Sequence, residues 1–206
     1  VRFIAAGQGG TAVTKVYTFH RGTYVVDVGL EVKNTGASAL QPFAYFQLVR
    51  DGTPPAGDSR MVPTYTGAAF FTEQEKFKKV EFSALDKGKA VVPANADNGW
   101  IAMLQHYFVA AWLPQGKTPR EFFARKLSEN LYAAGVIVPA GTIEPGTAGT
   151  VTVPLYVGPQ EQDKLAALAP GLDLTVDYGW LTVIASPLFW VLAQIHKWVG
   201  NWGVAI

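Results

Sequence analysis

The sequence predicts a mainly β fold, an antiparallel β-sandwich with C-terminal α-helices. Three features carry that expectation. Short runs rich in β-branched and aromatic residues recur from Thr11 to Val157. Turn-forming clusters separate most of them: Asn34-Thr35-Gly36, Asp86-Lys87-Gly88, Asn98-Gly99, Pro114-Gln115-Gly116 and Pro145-Gly146. After Gly158-Pro159 the spacing of apolar residues becomes helical. Regular short strands with such punctuation indicate packed antiparallel sheets.

Taken in order, strands are expected over 11–19, 23–32, 41–50, 68–72, 77–82, 100–105, 107–113, 121–127, 131–138 and 147–157. Alternation is clearest over 23–32, where Val26, Val28, Leu30 and Val32 fall on one face. Residues 51–63 hold Pro54, Pro55, Gly57 and Pro63 and read as a loop. Gly7-Gln8-Gly9-Gly10 reads as a hairpin turn. A helix is expected over 160–169, with Pro159 in its first turn and Pro170-Gly171 as its stop, followed by a strand-like link over 172–176. The last helix is expected to start at Ser186-Pro187 and to stop at Gly200-Asn201. The organisation expected is a β-sandwich over 1–157, a short helix over 158–171, and a junction with an amphipathic helix over 172–206.

The chain has 206 residues, 49% hydrophobic and 16% charged. That suits one well-filled β domain with a helical appendage and excludes disorder. Seventeen basic residues face sixteen acidic ones, so no global field draws nucleic acid, and no basic stripe with interleaved aromatics grips single strands. Cysteine is absent, which excludes disulfides and thiolate zinc sites. Val1-Arg2-Phe3-Ile4 has no signal-peptide pattern, and the chain is expected to be a segment of something longer.

In the last helix Leu188, Leu192, Ile195 and Val199 stack on one side at about 100° per residue, flanked by Phe189 and Val191. Gln194 and Lys197 lie opposite, with Trp190 between them. Thirteen residues at about 1.5 Å each give roughly 20 Å, short of the roughly 30 Å hydrocarbon core. Such a helix lies in the membrane interface rather than across it. A core-facing helix shows a similar stripe. What favours the membrane is tryptophan density: Trp180, Trp190, Trp198 and Trp202 are four of the six in the chain.

The residues offer little chemistry. His20, His106 and His196 have no metal-ligand spacing, and no GxSxG, P-loop or dinucleotide fingerprint occurs. Glu73 and Glu75 with Lys76, Lys78 and Lys79 read as a solvated face. One alternative is a carbohydrate groove lined by Tyr45, Tyr65, Trp100, Tyr107 and Trp112. Another is a chaperone-like apolar surface for unfolded segments.

The run LDLTVDYGWLTVIASPLFWVLAQIHKWVGNWG (172–203) resembles the junction between periplasmic domain and membrane core in the YidC insertase family. TYTGAAFFTEQEKFKKVEF (64–82), NGWIAMLQHYFVAAWLP (98–114) and VGPQEQDKLAALAP (157–170) agree in the same order. The resemblance implies an extended, mutarotase-like β-sandwich, or supersandwich, lacking the early part of the family's domain. It implies a non-enzymatic module without cofactor or metal, on the periplasmic side of the Gram-negative inner membrane, that assists insertion and folding of inner-membrane proteins. Its partners would be the transmembrane core of the same protein, the lipid bilayer surface, nascent membrane proteins and the Sec translocon; nucleic acid would not be among them. Leu188, Phe189, Trp190, Leu192, Ile195, Lys197, Trp198 and Trp202 resemble the family's membrane-interface helix. Asp177, Tyr178, Gly179 and Trp180 look like its joint. Tyr65, Phe70, Phe71 and Phe77 fall in the region linked with Sec contact. A periplasmic carbohydrate-binding or mutarotase-like domain is the alternative.

Overall fold

Two antiparallel sheets face each other across one apolar layer. The computed structural model describes residues 1–7, 10–54, 65–93, 95–176 and 182–205. The strands are β1 (Arg2–Ala6), β2 (Thr11–Phe19), β3 (Val25–Asn34), β4 (Phe43–Asp51), β5 (Thr66–Thr72), β6 (Lys76–Val80), β7 (Asn95–Ala96), β8 (Trp100–Gln105), β9 (Phe108–Trp112), β10 (Arg120–Ser128), β11 (Leu131–Pro139) and β12 (Ala148–Pro159). One sheet runs β1-β2-β3-β12-β9-β8-β5-β6 and the other β4-β11-β10-β7, every pair antiparallel. The chain divides into two compact units, Val1–Thr175 and Val176–Ile206.

Period-two alternation builds the core, because successive side chains point to opposite faces. Val28, Val153, Trp112, Ile101, Met103 and Phe70 face inward from the larger sheet. Phe46, Phe122, Ala134 and Val136 meet them from the smaller one. Phe70 and Phe122 pack edge to face at 6.0 Å across the layer, an arrangement that adds to plain area burial. Asn34 closes β3: its amide donates to the carbonyls of Ser38 at 2.8 Å and Ile143 at 2.9 Å, and its Oδ1 accepts from Gly36 N. That is why a fully buried amide is tolerated there.

Four departures from expectation have physical causes. β1 is an additional strand, paired with β2 from Arg2↔Val16 to Ala6↔Ala12; the connection contains residues 8–9, outside the described residues. The strand expected to run to Phe82 stops at Val80, and Phe82–Asp86 is a short helix, α1. Phe82 turns in to stack on Tyr132, ring centroids 4.3 Å apart. Pro159 ends β12 instead of opening a helix: its carbonyl accepts the Tyr156 hydroxyl at 2.6 Å, and α2 (Gln162–Leu168) begins later. The link after α2 is a 3-10 turn, Leu172–Thr175, rather than a strand. Residues three apart eclipse in that geometry, so Leu172 and Thr175 are buried together, and the Thr175 hydroxyl donates to the Leu172 carbonyl at 2.6 Å.

Candidate functional site

The second unit contains α3 (Thr182–Val199) and α4 (Trp202–Ala205). α3 starts before the expected Ser186-Pro187, and Pro187 lies inside it. Proline removes its own N–H from the ladder and its ring crowds the carbonyl four residues back, yet helix is formed on both sides of Pro187. Eighteen residues span roughly 27 Å, still under the roughly 30 Å of hydrocarbon. Among the described residues no helix is long and apolar enough to cross a membrane. α3 ends as expected: Gly200, at φ +71°, donates its N–H to the His196 carbonyl at 2.7 Å, the left-handed cap that glycine favours. Asn201 then caps α4, its Oδ1 accepting from Gly203 N at 2.8 Å.

The surface of α3 is apolar and exposed. Leu188, Phe189, Trp190, Val191, Ile195 and Val199 are all exposed, and Trp198 is 92% exposed. Leu192 is half-buried. His196 and Lys197 occupy the last turn, where positive charge suits the helix dipole. The joint Asp177, Tyr178, Gly179 and Trp180, and the side chain of Trp202, lie outside the described residues.

The four aromatic residues expected at a partner surface do not share one environment. Phe70 is fully buried in the core, because its strand parity points it between the sheets, so it presents nothing to a partner. Phe71 and Phe77 lie on the other face and pack against Trp100, centroids 5.8 and 6.1 Å away. The corner after α2 backs onto this trio: Trp100 Nε1 donates to the Pro170 carbonyl at 2.9 Å, and Gly171 (φ +71°) lies against the Phe71 ring. Tyr65 is half-buried. Its hydroxyl donates to the Ala68 carbonyl at 2.6 Å, Lys79 sits over its ring at 4.8 Å, and burial pushes its phenol well above the usual range. The polar tip of the β5–β6 hairpin, with Glu75 paired to Lys78, is what this region exposes.

The carbohydrate groove loses its main walls. Trp100 and Trp112 are 2% and 5% exposed, so neither ring face is open to a sugar. Tyr45 is occupied by stacking on Phe123 at 4.9 Å and by the Arg125 guanidinium, which donates to its hydroxyl. Of the histidines, His20 pairs with Asp27 at 2.7 Å and His106 sits in the β8–β9 turn against Tyr107. Among the described residues no cluster of three or more histidine, aspartate or glutamate side chains is arranged to hold a metal.

Sequence reasoning missed Arg120. Its guanidinium is buried at the start of β10 and donates to five carbonyls: Thr118, Gly99, Pro114, Asp97 and Gly116, at 2.6–3.1 Å. Desolvation lowers its pKa, partly opposed by Asp97. The side chain pins two loops, β7–β8 and β9–β10, and offers no free donor to a ligand. Nothing in its local sequence marks it, since its partners come from separate turns.

The family model for the YidC periplasmic domain matches residues 1–191. The chain belongs to the YidC periplasmic domain family. Curated relatives named membrane protein insertase YidC, from Nitrosospira multiformis and Nitrosomonas europaea, are 66% and 62% identical over 206 residues. Those alignments take in all of this chain and 36% and 34% of the relatives. The chain thus spans about a third of the length of the curated YidC relatives it matches. Among solved structures, a candidate aldose 1-epimerase from Escherichia coli covers 76% of this chain, and 64% of its own length is covered, at TM-score 0.47 and 15% identity. The YidC match and the fold agree on a mainly β domain with C-terminal helices. The α3 residues named above fall within or just beyond the matched span.

Proposed function

We propose that this chain is the periplasmic accessory module of an inner-membrane protein insertase, assisting insertion and folding of membrane proteins alone or beside the Sec translocon. The β unit serves as scaffold and partner surface. α3 lies in the membrane interface and ties the β unit to a transmembrane core. The observation that carries this reading is an exposed apolar helix with Trp190 and Trp198 on its surface and Lys197 near its end, in a chain of the YidC periplasmic family. Aromatic rings and a snorkelling lysine belong at headgroup level. Burying several large apolar side chains there is worth about 1.5–3 kcal/mol each at most.

The test uses the full-length relative carrying this chain, in cells depleted of their own insertase. Replacing Leu188, Leu192, Ile195 and Trp198 together with serine should impair insertion of a reporter membrane protein while the protein still accumulates. Serine replacements at exposed β-unit positions such as Phe19 and Val91 should matter less. Unimpaired insertion by the helix variant would overturn the proposal.

A further inference from the structure

At one end of the sandwich the sheets part around a cleft of about 560 Å³. Leu48 of β4, Met103 of β8, Phe108 and Ala110 of β9 and Val157 of β12 line it. By strand parity these are continuations of the inward-facing rows that form the core. Tyr24, Val49, Phe108 and Val157 are exposed at its mouth. Its volume is in the range of sites that enclose a small ligand.

Tyr24 and Gln105 are the neutral polar residues of its lining. Among the described residues no carboxylate lines the cleft, and Arg50 supplies its charge. Arg50 Nε donates to the Asp51 carbonyl at 3.2 Å and Nη2 to the Thr53 carbonyl at 3.3 Å. Nη1 is buried with no hydrogen-bond partner. Thr66, the cross-strand neighbour of the cleft residue Gln105, also has a buried hydroxyl oxygen without a partner. Unpartnered buried donors are rare in folded proteins, and each costs free energy. An unpartnered, charged guanidinium nitrogen on the lining of an apolar cleft indicates what would offset that cost: an acceptor carrying negative charge.

We infer that this cleft binds a single-chain anionic amphiphile, its apolar chain against Leu48, Met103, Phe108 and Val157 and its carboxylate or phosphate at Arg50. Charge complementarity selects the head group. The shielding of Nη1 from water favours an anion delivered on an apolar chain over a free one, and a guanidinium matches carboxylate and phosphate geometry. This site is built from the β unit alone and does not depend on the role of α3.

Calorimetry on the 206-residue chain tests the inference, with every ligand kept below its micelle concentration. Myristate and lysophosphatidylglycerol represent the two head groups. Myristyl alcohol, tetradecyltrimethylammonium and acetate are the controls. Saturable binding of at least one anionic amphiphile, with the alcohol and the cation about tenfold or more weaker and acetate undetected, is the expected result. Whichever anionic ligand binds more tightly identifies the head group. Arg50→Gln should weaken the anionic ligand about tenfold and leave the alcohol unchanged. Val157→Asp, at an exposed position that tolerates substitution, should weaken it as well. Equal binding of anion, alcohol and cation, no saturable binding of either anionic ligand, or an unchanged affinity in Arg50→Gln in a chain that keeps its circular dichroism spectrum would overturn it.

Discussion

Tyr132 donates its phenolic hydrogen to Asp86 Oδ2 at 2.9 Å, while Lys126 holds the other carboxylate oxygen at 2.7 Å. One carboxylate therefore ties the end of α1 to both strands of the β10–β11 hairpin. The Lys126 hydrogen bond, then that of Tyr132, holds the Asp86 carboxyl below its usual value of 3.8. The folded chain thus takes up this proton less readily than the unfolded one. The stabilisation is present above pH 3.8 and is lost as pH falls through the lower folded value. Lys126 and Tyr132 are both raised, chiefly by hydrogen bonding to Asp86. Their share is present at neutral pH and is lost as pH rises through their folded values. Asp86→Asn should flatten both limbs of the profile of urea midpoint against pH. Limbs identical to the parent's would show that the triad does not couple to folding.

Arg120 should be among the residues least tolerant of change. Replacing it with leucine leaves five loop carbonyls without their donor in a buried site. A loss of roughly 3 kcal/mol is expected from urea denaturation. Arg120→Lys should recover only part of it, because an ammonium has three donors and no planar fork. A lysine variant as stable as the parent would mean that charge alone, and not the fan of hydrogen bonds, holds the loops.

Gly99 has φ +100°, and an added Cβ would stand 2.0 Å from the Phe71 carbonyl oxygen. Gly88 has φ +62° with open space around it. Gly99→Ala should therefore cost roughly 2–3 kcal/mol, against about 1 kcal/mol for Gly88→Ala, where only left-handed strain applies. Equal losses in thermal or urea unfolding would show that the loop before β8 yields to the clash.

Local pattern made much of this fold legible. β8 and β2 have the bounds that their residues suggest, because alternation and flanking turns fix a strand without help from afar. β1 was not legible: Phe3 and Ile4 are adjacent, both exposed, and give no alternation. The inward turn of Phe82 depends on Tyr132, fifty residues on. Exposure along α3 follows its apolar run, yet its start was hidden by a proline that the helix accommodates. Of the residues expected at a partner surface, Phe70 and Phe71 are neighbours in sequence with opposite fates, core and outer face, which strand register alone decides. Arg120 and the cleft at Arg50 were out of reach, since their environments are assembled from separate strands and turns.

The helix α3 makes a prediction that needs no cellular assay. Trp100 and Trp112 are buried already, so they change little when the chain meets a membrane, whereas Trp190 and Trp198 are exposed. Vesicles containing phosphatidylglycerol should therefore shift tryptophan emission to shorter wavelength, and Trp198→Ser should reduce that shift. Lys197→Glu should weaken vesicle binding by about fivefold to tenfold, since a basic residue near an anionic surface is worth about 1 kcal/mol and an acidic one is repelled. The lysine effect should fade in high salt because the surface potential is screened, while the tryptophan effect persists because it arises from burial of an apolar ring. If neither substitution changes co-flotation, or if emission is the same with and without vesicles, α3 does not rest in the interface and its apolar surface must be covered by protein instead.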